Sequence, residues 1–262
     1  MRIATILLAS ALVAAGSAAV AHAGANLVTN GGFEQTNGPV TASTQFGTGS
    51  LNGFSATNFV TGWTGNNGYE IWFPSATAST TENAFSEYGQ GSTSNTGKEK
   101  LWSAMTSPNG GAFVGLDGDQ TPGIQSSISQ AIMGLTVGST YTVSFDWAGA
   151  QVQSRTGATT EYLAVSFGSS TQNTNVLNNA SEGFTGWQTA SLNFIANAAT
   201  ETLSFLSVGT PSGYPPMALL DGVSVEQVAV PEPSSLALLG AGLVGLGLVI
   251  RRRRTARKSN QV

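Results

Sequence analysis

The chain has 262 residues, of which 9% are charged, and no cysteine; its single histidine is His22. Beyond that residue, disulfides, thiolate chemistry, cysteine-bound metal centres and a Ser–His–Asp or Cys–His nucleophile are all excluded. The formal charge of −4 hides an asymmetry: all fourteen acids lie between Glu34 and Glu232, where only Lys98, Lys100 and Arg155 are basic. Three bases against fourteen acids leave that stretch near −11, which argues against nucleic acid or anionic lipid as partners and suits divalent cations and neutral glycans.

In chain order, Met1-Arg2-Ile3 is a short positive start, Ala4 to Val20 is apolar, and Ala21-His22-Ala23 fits a signal-peptidase site. Residues 1–23 are expected to be a signal peptide, and residues 24–230 the exported domain. No cysteine follows the cut, which excludes N-terminal lipid attachment. The domain reads as all-β. Strands are expected at Ala112–Leu116 and Ile124–Ile132, and at Tyr141–Trp147, where Tyr141, Val143, Phe145 and Trp147 share a face. The same period of two recurs at Leu163/Val165/Phe167, Ala190/Leu192/Phe194, Leu203/Phe205 and Val223/Val225. About 200 residues of this kind suffice for one large sandwich without disulfides.

Several loops carry the chemistry that such a domain has left. Pyranose faces stack on flat aromatic rings beside amides and carboxylates. Tyr69 and Trp72 in Gly68-Tyr69-Glu70-Ile71-Trp72, Trp102, and Tyr214 between Gly213 and Pro215 are the candidates for stacking. Trp147 is in phase with a core face, while Trp63 and Trp187 are placed to close the sandwich ends. Pro74–Asn109 is rich in Ser, Thr, Gly and Asn and long for a loop; either it hides short strands or it lies as an insertion over one face. Asp117-Gly118-Asp119 reads as a turn, since the later ligands of a calcium loop are missing. A carboxylate-based glycosidase or lyase, or a purely structural adhesin without a defined sugar ligand, is the alternative function. Glu70, Glu82, Glu87 and Asp119 are the acids in reach for it, but no motif pairs them.

Three motifs bracket this domain: Asn26-Leu27-Val28-Thr29-Asn30-Gly31-Gly32-Phe33-Glu34, then Gly62-Trp63-Thr64, then Leu219-Leu220-Asp221-Gly222-Val223-Ser224-Val225. In order and spacing they resemble the galactose-binding-like jelly-roll superfamily, which includes many carbohydrate-binding modules. The resemblance implies a jelly-roll sandwich whose first and last strands lie together and often hold a structural calcium ion. Glu34 and Asp221 match the side-chain ligands, with backbone carbonyls near Asn66–Glu70 to complete the shell. Asp221 is in phase with Val223 and Val225, which places it at an inward-facing strand end. There it needs a partner: a metal ion, backbone amides or Arg155.

The tail, residues 231–262, is the most specific part. Pro231-Glu232-Pro233 is followed by seventeen uncharged residues, Ser234 to Ile250, and then by Arg251-Arg252-Arg253-Arg254. As a helix this stretch rises about 25 Å, enough for one marginal transmembrane span with the arginines in the cytoplasm. The order resembles the PEP-CTERM sorting signal. That resemblance implies an exosortase-type processing enzyme as partner, an exported protein held by its tail before processing, and an association with extracellular polysaccharide and biofilm. A simple anchor that is never cut is the plain alternative.

Overall fold

The computed structural model describes residues 24–37, 43–46, 50–51, 54–55, 58–66, 68–81, 100–122, 125–153, 155–213, 216–229, 240 and 242–251. Alternation buries one side of each long strand, and two antiparallel sheets stack face to face. One sheet runs β1 (Thr44–Phe46), β5 (Glu70–Phe73), β6 (Phe113–Asp117), β14 (Pro216–Gln227), β8 (Thr140–Gln151) and β12 (Gln188–Ile195). The other runs β10 (Ser170–Asn173), β9 (Thr159–Phe167), β13 (Thr200–Thr210), β7 (Ser127–Met133) and β4 (Thr64–Gly65), with β11 (Leu177–Asn179) also on β9. β2 (Ser50–Leu51) pairs with β3 (Phe54–Ser55), and a short helix, α1 (Ala76–Thr81), follows β5. The chain changes sheet at β4–β5, β6–β7, β7–β8, β8–β9, β11–β12, β12–β13 and β13–β14, the jelly-roll way of joining two sheets. All the alternating segments expected from the sequence are strands of this sandwich.

The core lies between the sheets. Tyr141, Val143, Phe145 and Trp147 of β8 are all buried and face residues such as Phe167 and Phe205 of the opposite sheet. Phe145 meets Phe205 edge-on at 5.0 Å between ring centroids, an arrangement that adds about 0.5–1.5 kcal/mol to simple burial. Trp63 is buried between Phe33 (5.3 Å) and Phe205 (6.1 Å), with its indole N–H on the Asn30 carbonyl at 3.0 Å. The first segment runs along the last strand: Leu27 N donates to Val225 O at 2.9 Å, and the Asn26 side chain accepts from Val225 N at 3.0 Å. The Gln130 amide clamps it from the other sheet, accepting from Thr29 N and donating to the carbonyls of Thr29 and Gly62.

The outward face of the β5–β6–β14–β8 sheet is also apolar. Ile71, Phe73, Phe113, Ala148, Met217 and Leu219 form a second cluster there. Leu101, Ala76 of α1, and Phe184 with Trp187 cover it. The described parts of the stretch from Pro74 to Asn109 therefore form a cover over one sheet face, and Trp187 belongs to that cover. Leu101 is bridged to Val152 at the end of β8, which fixes the cover to the sheet.

In the tail, residues 242–251 are helical and exposed. Among the described residues no helix is long and apolar enough to cross a membrane; of the expected span over 234–250, residues 234–239 and 241 lie outside the described residues. Pro231, Glu232, Pro233 and Arg252 to Arg254 lie outside the described residues, as does the whole of residues 1–23.

Candidate functional site

Polar groups gather at the two ends of the covered sheet face. At the first end the loop Asn30–Gln35 positions Glu34. Asn30 and Phe33 take left-handed backbone conformations (φ 54° and 57°), and the Asn30 side chain closes the loop. Its amide donates to the carbonyls of Gln35 and Thr61 at 2.9 Å and accepts from Gln35 N at 3.1 Å. Gly31 packs so close to the Val223 carbonyl that a Cβ would sit 2.0 Å from the oxygen, so only glycine fits. The exposed Glu34 then reaches across and accepts from Ala112 N at 2.8 Å.

Asp221 is fully buried beside it. Ser107 Oγ donates to one carboxylate oxygen, and Gly222 N donates to the other at 2.6 Å. On the neighbouring strand, Asp146 accepts from Asn109 Nδ2 at 2.8 Å and from Thr189 Oγ1 at 2.6 Å. Burial pushes the Asp221 carboxyl up to about 7. The hydrogen bonds from Ser107 and Gly222 oppose that rise, and the charges of Glu34 and Asp146 add to it. The inward orientation expected for Asp221 is corrected by a bulge. The register between β14 and β8 slips between Asp221 and Ser224, with Gly222 at φ 59°, so Asp221 shares the outward side with its partner Asp146 while Val223 and Val225 stay inside. Of the partners foreseen for Asp221, a backbone amide is present, from Gly222, whereas Arg155 and the Asn66–Glu70 segment bond elsewhere. Arg155 Nε instead donates to Gly213 O, and the Asn66–Glu70 segment is tied to β6 and β7 through Asp117 N on Tyr69 O and Asn66 N on Ser127 O. Backbone amide and hydroxyl do the work. Among the described residues no three His, Cys, Asp or Glu side chains are arranged to hold a metal ion.

The second polar end is built by the turn after β6. Asp117 Oδ1 accepts from Asp119 N at 2.7 Å and Asp119 Oδ1 accepts from Thr121 N at 3.0 Å, the side-chain-to-backbone pattern of a tight turn. Burial pushes Asp117 up to about 7, opposed by its bond from Asp119 N and by the Arg155 charge. Asp119 goes the other way. Burial would raise it, but donation from Gly213 N, Thr121 and Ser212 outweighs that and holds its carboxyl below the usual range. Arg155 lies over this turn, and its carbonyl accepts the indole N–H of the half-buried Trp102 at 2.7 Å. Half-buried Tyr69 joins through its own carbonyl, on Asp117 N at 3.3 Å. The result is a turn whose two carboxylates are buried and bonded inward, with half-buried Trp102 tied to the Arg155 backbone and Tyr69 tied to the turn through its backbone carbonyl.

Of the four expected stacking residues, Trp102 is half-buried on the Arg155 backbone and Tyr69 is half-buried with its carbonyl on Asp117 N. Tyr214 lies outside the described residues, although its neighbour Gly213 holds both Asp119 and Arg155. Trp72 is corrected: it is a core residue, 6% exposed, donating its indole N–H to Phe33 O at 2.8 Å and meeting Phe59 edge-on at 5.8 Å. Glu70 is wholly buried between the sheets, where burial pushes its carboxyl up to about 8, so it does not share a cleft with Asp119. Glu82 and Glu87 lie outside the described residues. Ser107, Asn109 and Asp146 went unnoticed in the sequence. Ser107-Pro108-Asn109-Gly110-Gly111 is a strong turn signal, but no local pattern tells which carboxylate the turn will meet.

A family model described as a protein of unknown function, DUF642, matches residues 87–226, more than half of the chain. The chain belongs to the DUF642 family. A second model, the PEP-CTERM protein-sorting motif, matches residues 229–254, so the tail is a PEP-CTERM signal. No curated protein matches the chain. Among solved structures the DUF642 chain is similar to TmCBM61, determined in complex with beta-1,4-galactotriose: 14% identity, 78% of this chain and 99% of that one, TM-score 0.39. It is similar to the non-crystalline-cellulose-specific module CBM28 at 15% identity, 48% and 79% coverage and TM-score 0.31. It is also similar to the enzymatically active domain of tailspike protein 4 of bacteriophage CBA120, at 13% identity, 78% and 21% coverage and TM-score 0.33.

Proposed function

We propose that this is an exported envelope protein, sorted by its PEP-CTERM tail, whose sandwich binds extracellular polysaccharide without catalysis. The observation that carries the binding reading is the second polar end. Trp102 is half exposed and fixed by the Arg155 carbonyl, while the Arg155 side chain reaches the Gly213 loop that also holds Asp119. A half-exposed aromatic face set on a polar turn offers a pyranose its stacking surface. Affinity electrophoresis in gels containing the producer's own polysaccharide tests it. Retardation of the wild-type protein and its loss in Trp102→Ala are expected. Free migration across a broad glycan panel would remove the reading, and release of glycan products would replace it with the lyase or glycosidase alternative.

Glu34 and Asp221 are read as contributors to a structural calcium site at the first end. The side-chain ligand atoms that Glu34, Asp221 and Ser107 offer are oxygens, which suits calcium, and a buried carboxylate flanked by two further acids gains from a cation. Melting the mature protein in chelator and then in excess calcium is the check: a higher Tm with calcium supports the site, and superimposable curves exclude it. The tail is read as inserting into the membrane until an exosortase-type enzyme cuts near Pro231-Glu232-Pro233, leaving the domain at the cell surface and in the biofilm matrix. Mass spectrometry of the surface protein is expected to find a C-terminus before Arg251; retention of Arg251–Arg254 would mean a permanent anchor.

A further inference from the structure

The exposed apolar side chains of the domain are not scattered. Among the described residues the sandwich exposes six large ones: Met105, Met133, Val137, Val176, Ile195 and Val228. Four of these belong to one end. Val228 N donates to Thr140 O at 2.9 Å, Gln227 Nε2 donates to Ser139 Oγ at 3.0 Å, and Gly138 N donates to Ala196 O at 2.8 Å. Ile195 is the cross-strand partner of Thr140. The turn carrying Val137, the end of β12 and the exit of β14 are thus knitted together around Thr140. Met133, at the end of β7, precedes that same turn, and Leu135 N bonds Ala199 O beside it. Val137 is 62% exposed, Ile195 56%, Met133 69% and Val228 40%.

Charge points the same way. The exported stretch is strongly acidic, yet Gly134–Ser139, Ile195–Thr200 and Gln227–Val230 contain no charged residue. Of the acids that flank them, Glu201 is buried with its carboxylate on Asn197 N and Glu226 is half-buried. Only five residues separate Val228 from Ser234, the start of the apolar segment of the tail. Fully extended, five residues span at most roughly 18 Å. Gly24, where the exported chain is expected to begin, also sits here, its N–H on Gln227 O at 3.4 Å.

We propose that this uncharged apolar end, around Val137, Ile195 and Val228, is a lipid-contacting surface that rests in the bilayer interface while the tail is inserted. The proposal rests on the membrane reading of the tail and on the covalent path alone. Aliphatic side chains gain by leaving water for the acyl boundary, and the five-residue tether holds them within reach of it. An uncharged surface does this without the repulsion that the rest of the acidic domain meets at an anionic headgroup layer.

The absence of cysteine makes the test direct. Single variants Val137→Cys, Ile195→Cys, Val176→Cys and Leu243→Cys of the mature full-length protein are labelled with an environment-sensitive fluorophore and reconstituted into phosphatidylcholine vesicles. Blue-shifted emission quenched by brominated lipid is expected at positions 137, 195 and 243, with water-like emission at 176. If 243 is lipid-exposed while 137 and 195 stay water-like, the lipid surface is wrong, and the patch is left to a protein partner such as the processing enzyme. If 243 itself remains water-like, the membrane reading of the tail fails, and this inference falls with it. A Val137→Asp/Ile195→Asp variant with an unchanged Tm is expected to shift the probe at 228, introduced as Val228→Cys, back towards water; no shift there also overturns the proposal.

Discussion

At the residue scale, the buried carboxylates decide most of what can be tested. Glu161 is fully buried, accepts from Thr159 Oγ1 on one oxygen, and leaves its other oxygen without a hydrogen-bond partner. Burial pushes it up to about 8, so the folded protein holds a proton there that the unfolded chain has lost. Glu161→Gln keeps the shape and removes the ionisation. A Tm gain over wild type is expected at pH 8 and little change at pH 5; equal effects at both pH values would contradict this burial. Trp72→Phe separates packing from binding. It loses the bond to Phe33 O and part of a buried ring, so a destabilisation of about 1–3 kcal/mol is expected, with glycan retardation unaltered. At Gly31, any side chain meets the Val223 carbonyl, and Gly31→Ala is expected to lower stability by about 2–4 kcal/mol in a denaturant titration.

At the scale of elements, legibility followed burial. β9 and the first part of β8 were readable because one face is buried and the other is not, which writes period two into the sequence. From Ala148 to Gln151 the same strand is buried on both sides by the cover, so alternation ends although the strand does not. β5 was lost for that reason: all four residues Glu70–Phe73 are buried, and without a polar face Trp72 looked like a loop aromatic. Short polar β10, exposed at every position, carried no signal either. At the candidate sites the turn chemistry of Asp117-Gly118-Asp119 could be read locally, because its hydrogen bonds close within four residues. The joining of Ser107 to Asp221, 114 positions apart, could not. The bulge at Gly222 also inverted the phase on which the orientation of Asp221 depended. Deleting the cover, α1 together with Leu101–Ala104, is expected to expose Phe73 and Phe113 and bring about dye binding or aggregation relative to the intact protein; unchanged solubility and Tm would deny its role in that second apolar layer.

For the molecule as a whole, four carboxyls raised by burial set the pH dependence: Glu70 and Glu161 to about 8, Asp117 and Asp221 to about 7. Their unfolded values lie near 4, so between about pH 4 and 8 the folded state binds more protons than the unfolded one. Stability is then greatest at the acid side of that window and falls as the pH rises through the folded values. Thermal melts in chelator are expected to show Tm dropping steadily from pH 5 to pH 8, and calcium is expected to flatten the part that comes from Asp221. A Tm that rises over this range would show that the four acids are ionised in the fold at little cost.

β14 has a consequence of another kind. It is the last strand of the domain, yet it lies in the middle of its sheet, between β6 and β8, and the opening segment of the chain runs along it. Without it the sheet falls into a β1–β5–β6 part and a β8–β12 part, and the N-terminal segment has nothing to lie on. A chain threaded through a secretion channel from its N-terminus therefore cannot complete this fold until its final strand has emerged. By then the sorting tail follows within a few residues. In a chain exported in that direction, closure of the sheet is thus expected only when the sorting tail is itself close at hand.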